Sequence, residues 1–168
     1  MPRFHKSIYH GIIRPTRLKE EARIINALPG NTILEIGYFD DSFKKLARKG
    51  LHYTGIDPEP TKPIPGMPVT DVEHYNPGKQ FDIVVASNIL EHTYDPAAAF
   101  RQIKKLAKHF IVISVPYEPW YTMTRFFIPE PEHTWTIHPT ILQHYFGKPI
   151  KEKWLHLGRT YVAVFKVR

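Results

Sequence analysis

The sequence predicts an α/β protein: one mostly parallel sheet, closed at the C-terminus by an antiparallel hairpin. Three observations predict it. The apolar run Thr32-Ile33-Leu34-Glu35-Ile36 ends at Gly37, and a second run, Tyr53-Thr54-Gly55-Ile56, ends at Asp57. Short apolar runs then alternate with helical patterns, and parallel strands need such crossovers. Finally, Gly158-Arg159 separates two β-rich runs, which suits a type II′ hairpin with glycine first in the turn.

The elements follow in order. Residues 1–15 are basic and aromatic without a clear period. Thr16 is placed to cap a helix over 17–28, with Leu18, Ala22, Ile25 and Leu28 on one face and Pro29-Gly30 as its stop. Strand one covers 32–37. Asp40 or Asp41 caps a helix that Gly50 ends, and strand two covers 52–57. Pro58, Pro60, Pro63 and Pro65 exclude a helix there, so the crossover after strand two is a stiff loop leading to a third strand over 67–70. The unbroken apolar run 81–87 reads as a strand buried on both faces. Asp95-Pro96 starts a helix that runs to about residue 108. Strand five covers 110–115, and a link rich in proline and aromatics runs from 116 to 138. A helix over 139–146 stops at Gly147, and the hairpin strands cover 154–157 and 160–167. There are seven strands in all, in a single domain spanning 1–168.

Composition narrows the chemistry. The 168 residues are 42% hydrophobic, enough for one globular core. No apolar run approaches the ~20 residues of a membrane helix. The opening Met1-Pro2-Arg3-Phe4-His5-Lys6 lacks the apolar core of a signal peptide, so a cytoplasmic protein without a membrane partner is expected. Cysteine is absent, which excludes disulfides, cysteine metal sites and thiolate nucleophiles. The ten histidines include no helical i, i+4 metal pair, and no metal is expected. The net charge is 23 − 16 = +7. Its cations recur in two helical patterns: Lys44, Lys45 and Arg48, then Arg101, Lys104, Lys105 and Lys108. These read as solvated faces in preference to an RNA-binding surface.

A glycine turn after one strand and an acid after the next is the pattern that parallel α/β folds present to an adenosine-bearing cofactor. The segments carrying it are Ile33-Leu34-Glu35-Ile36-Gly37, Tyr53-Thr54-Gly55-Ile56-Asp57 and Thr70-Asp71-Val72-Glu73. A fourth is Phe81-Asp82-Ile83-Val84-Val85-Ala86-Ser87-Asn88-Ile89-Leu90-Glu91-His92. In this order the chain resembles a class I S-adenosylmethionine-dependent methyltransferase over residues 17–168, and is similar to the small ubiquinone-biosynthesis-like branch. The resemblance implies a Rossmann-like seven-stranded sheet and S-adenosylmethionine as cofactor. It puts Glu35 and Gly37 by the methionine half, Asp57 with Pro58 at the ribose, Asp71 and Val72 at the adenine, and Ser87 and Asn88 near the sulfonium.

The pattern breaks at the turn. The family's Glu-x-Gly-x-Gly-x-Gly reads Glu35-Ile36-Gly37-Tyr38-Phe39-Asp40-Asp41 here, so Phe39 lies where the cofactor's amino-acid part would pass. The loop is then either rebuilt around a working pocket or belongs to an inactive binding or scaffold domain. His92 and His133 are candidate general bases, because histidine titrates near neutrality. Tyr117, Trp120, Tyr121, Phe126, Phe127 and Trp135 are candidates for a substrate lid. An aromatic lid favours a small-molecule acceptor over RNA, and an RNA-directed methyltransferase remains the alternative.

Overall fold

A computed structural model describes residues 9–117 and 134–167. A π-helical turn, Tyr9–Ile13, leads into α1, Arg14–Asn26. Helix α1 begins three residues before the expected start because Pro15 occupies the first turn, where its missing N–H costs nothing. Thr16 therefore does not cap it. Its hydroxyl donates to the Ile12 carbonyl at 2.7 Å from within the helix.

Strand β1 (Thr32–Ile36), α2 (Ser42–Leu46), β2 (His52–Ile56) and β3 (Phe81–Ser87) follow. Then come α3 (Pro96–Leu106), β4 (Ala107–Pro116), α4 (Pro139–Phe146), β5 (Lys151–Leu155) and β6 (Thr160–Lys166). The sheet order is β2-β1-β3-β4-β6-β5. The first three pairings are parallel, and β6 runs antiparallel to both β4 and β5.

The expected seventh strand is absent from the described sheet, which has six. Residues 67–70 contribute a single parallel bridge, Asp57 to Val69, and the Thr70 N–H donates to the Asp57 carbonyl at 3.2 Å. Pro68 is the physical reason: a proline inside this segment removes the ladder donor that a longer pairing needs. Met67 instead lays its sulfur 3.1 Å from the Gly55 amide on the outer edge of β2. No helix forms between β2 and β3, as the prolines require.

Two apolar layers cover the sheet. On one face α1 and α2 pack Leu18, Ala22, Ile25 and Phe43 onto Ile33, Ile83, Val85, Val112 and Val164. On the other, α3 and α4 pack Phe100, Ile103, Leu106 and Leu142 onto Leu34, Ile36, Val84, Ala86, Ile111 and Ile113. Alternate strand residues point to opposite faces, so each strand feeds both layers. The lysines of α2 and those of α3 thus lie on opposite sides of the protein.

Further boundaries differ from expectation: helix α2 stops at Leu46, short of Gly50, and β5 covers Lys151–Leu155 where 154–157 was expected. Helix α3 stops at Leu106 and passes directly into β4 at Ala107. Its start is as expected, with the Asp95 carboxylate accepting from the Ala98 N–H at 3.0 Å. The β5–β6 turn is longer than two residues: Leu155 pairs with Thr160, and His156, Leu157 and Gly158 all take positive φ. Glycine therefore comes third in a four-residue connection.

Candidate functional site

Beyond the carboxyl ends of β1 and β2 lies a cleft of about 680 Å³. In open α/β sheets ligands bind there, where successive connections leave in opposite directions. Here β1 sits between β2 and β3, so the reversal falls at β1.

Apolar walls come from Ile36, Ile56, Val72 and Ile89, and the rim carries Asp71, Glu73, His74, His92 and Asp95. Gly37 and Pro58 complete the floor. Gly37 has φ +79°, and a Cβ there would come within 2.9 Å of the Ile89 side chain. Glycine thus serves both the turn and the close approach of the Ile89 loop. Asp71 accepts from the His74 amide at 2.9 Å, and its carboxylate lies 2.7 Å from His74 Nδ1.

The other expected site residues face protein partners. The Asp57 carboxylate accepts from the amides of Phe39, at 3.3 Å, and Glu59, at 2.7 Å. A carboxylate offers about four lone-pair positions, so two such bonds leave it acceptor capacity. Glu35 is fully buried and accepts from the Tyr53 hydroxyl at 2.5 Å. Burial raises the Glu35 carboxyl to about 8, opposed by the Tyr53 hydrogen bond and reinforced by the Glu21 charge. Ser87 donates to both Glu21 carboxylate oxygens, at 3.0 and 2.8 Å. Glu21 lies 3.4 Å from Arg17 one helical turn earlier. Asn88, in the left-handed region at φ +48°, accepts from the Ser114 hydroxyl at 3.1 Å.

The altered turn has its own support. Phe39 sits at φ +40° with the Arg14 guanidinium 5.0 Å from its ring centroid. Arg14 also grips Asp40 with two hydrogen bonds, at 2.8 and 3.2 Å. Although burial raises Asp40, the bonds from Arg14 and Ser42 outweigh it and hold the carboxyl at about 2. Tyr38 is buried against Gly55.

Of the candidate bases, His92 lines the cleft, with Nε2 3.9 Å from the buried Glu91 carboxylate. His133 lies outside the described residues, as do Trp120, Tyr121, Phe126 and Phe127. Trp135 packs beside the cleft wall, its indole N–H donating to the Thr93 carbonyl at 2.8 Å. Tyr117 turns instead toward the hairpin and meets Trp154 edge to face at 4.7 Å. Among the described residues no group of three or more His, Cys, Asp or Glu is placed to hold a metal ion.

A family model described as a methyltransferase domain matches residues 13–156. The chain belongs to the methyltransferase-domain family. No curated protein sequence matches it. Solved methyltransferases share its fold. Magnesium protoporphyrin IX methyltransferase from Synechocystis, with bound S-adenosylhomocysteine, superposes with a TM-score of 0.76 at 12% identity, over 100% of this chain and 89% of that one. An S-adenosylmethionine-dependent methyltransferase from Archaeoglobus fulgidus gives 0.70 at 18% identity, over 99% and 100%. The N-methyltransferase NodS from Bradyrhizobium japonicum gives 0.65 at 18%, over 92% and 94%. The fold is thus that of the class I methyltransferases.

The methyltransferase cleft also holds residues that sequence reasoning missed. Ile89, His74 and Thr93 line it, and Tyr94 stands almost fully exposed at its mouth. The buried Arg17–Glu21 pair had a sequence signal in its i, i+4 spacing. Its burial had none, because Ser87, which meets Glu21, is distant in sequence.

Proposed function

We propose that this chain is a methyltransferase that uses S-adenosylmethionine to methylate a small-molecule acceptor. The observation that carries this is the cleft at the sheet's reversal, with Gly37, Pro58, Asp71 and Val72 converging on it. Bound there, S-adenosylmethionine supplies a methyl group on a positively charged sulfur. The residues present fit its adenosine half. Ile36, Val72 and Ile89 offer apolar surface to a flat ring, and Asp71 offers an acceptor to ring amino hydrogens. The remaining lone pairs of Asp57 suit ribose hydroxyls. Gly37 keeps side-chain bulk out of the floor.

What this chain contributes to the reaction is alignment, which can supply about 7–11 kcal/mol of a barrier. His92 takes the proton from an acceptor hydroxyl or amine, with the Glu91 carboxylate beside it to stabilise the resulting imidazolium. Trp135, anchored on Thr93, helps cover the cleft and exclude water. Two solved methyltransferases of the same fold, the magnesium protoporphyrin IX enzyme and the plantazolicin methyltransferase BpumL, support a small-molecule acceptor.

A second reading has its own observation. Phe39 occupies the glycine turn and Arg14 is committed to Asp40, while Glu35 and Ser87 are bound within the protein. A domain that kept the fold and lost the cofactor would look like this. Calorimetric titration with S-adenosylhomocysteine separates the two. We expect saturable binding and a raised melting temperature, since ligand binds the native state alone. No heat and no shift at millimolar ligand would establish the scaffold.

A further inference from the structure

We propose that the groove between α2 and the proline-rich loop is a second binding site, taking a phosphate-bearing ligand at Lys44, Lys45 and Lys62. It goes beyond the methyltransferase reading and does not depend on it. The groove measures about 460 Å³, and the three exposed lysines face one carboxylate, Asp41.

The sequence pattern assigned Lys44 and Lys45 to a solvated face. The fold changes this by bringing Lys62 from a separate loop across from them. A convex row of cations thereby becomes a concave one. Concavity matters because converging ammonium groups focus their field on a bound anion. Lys45 is paired with Asp41 at 2.8 Å. Lys44 lies 5.7 Å over the Tyr53 ring, and among the described residues neither Lys44 nor Lys62 has an ion pair within 4.0 Å. Two cations therefore keep their charge available.

The lysines suit phosphate as compact point charges with rotatable donors. The walls are also held in place. Pro63 and Pro65 fix the local backbone, and the Lys62 amide donates to the Phe39 carbonyl at 3.2 Å. A groove ordered before the ligand arrives loses less entropy on binding. The other cationic helix offers no such shape. On α3, Lys104 reaches back to the Tyr145 carbonyl at 3.5 Å, and none of that helix's cations lines this groove.

The test uses two probes on the full chain at low salt: inorganic triphosphate by calorimetry, and a fluorescein-labelled single-stranded RNA by anisotropy. The double variant Lys44→Ala/Lys62→Ala should weaken binding at least about tenfold, while Lys104→Ala/Lys105→Ala on the opposite face changes it less than about twofold. Asp41→Asn should tighten binding, because it removes the one opposing charge. Melting temperatures confirm that the variants fold. If RNA is the natural source of the phosphate, the logarithm of its affinity should fall against log salt with a slope of about −2 for three single-strand contacts. If triphosphate binds and RNA does not, the source is a small phosphorylated molecule. Equal losses in the two double variants would mean diffuse attraction to a basic protein, and the site would be refuted. So would the absence of binding by both probes at millimolar concentration.

Discussion

Glu35 shows how one side chain can carry an expected position and an unexpected environment. It lies in β1 as foreseen, yet its carboxyl is enclosed by Tyr53 from β2 and by Glu21, Arg14 and Arg17 from α1. Burial raises it from 4.5 to about 8, so between those values the folded chain holds a proton that the unfolded chain releases. Stability from this group is therefore full below the window and falls as pH rises through it. Glu35→Gln keeps an acceptor for Tyr53 and cannot ionise. Chemical denaturation from about pH 5 to 8 should show the variant gaining on the parent as pH rises. A constant difference would mean that Glu35 is already ionised in the fold. Phe39 makes a separate residue-scale claim. Its left-handed backbone favours glycine by about 1 kcal/mol, but its ring supports Arg14. Phe39→Gly should bind S-adenosylhomocysteine at least as tightly as the parent in calorimetry. A clear loss of affinity would place the ring in contact with the cofactor.

At the scale of elements, the cleft depends on how strands and helices end. Helix α3 starts at the cleft's rim, where Asp95 both lines the opening and caps the helix through the Ala98 amide. Losing such a cap costs about 1 kcal/mol. For a chain of this length, Asp95→Ala should lower the melting temperature by about 2–4 °C, read by circular dichroism. Asp95→Asn should recover most of that loss, because asparagine caps nearly as well. The loop after β2 works differently. Its prolines exclude a crossover helix, and Pro68 limits the next strand to one bridge, so the same segment can wall both the cleft and the lysine groove.

For the molecule as a whole, the hairpin completes the sheet. Strand β6 pairs with β4 from Phe110 opposite Lys166 to Pro116 opposite Thr160, and its residues 160–165 are buried. A chain ending at Ile150 would expose that edge of β4 and the apolar faces beside it. Unpaired flat edges recruit other chains. The truncated protein should therefore appear in the insoluble fraction or as large species by size exclusion. A monomeric, cooperatively melting product would show that β1–β4 suffice.

The elements were largely legible in the sequence because local chemistry controls them. Strand β3 and helix α4 match their expected limits, Asp95-Pro96 opens α3, and the prolines after Asp57 exclude a helix. Glycine and acid spacing also located the cleft. Tertiary structure decided which acids face it. Asp71 reaches the rim, while Asp57 is bonded to the amides of Phe39 and Glu59, and Glu35 and Ser87 are enclosed by Tyr53 and Glu21. The pairing of Lys62 with Lys44 across a groove was equally hidden. Periodicity reports which face of an element a residue occupies, but a partner distant in sequence enters only when the chain closes on itself.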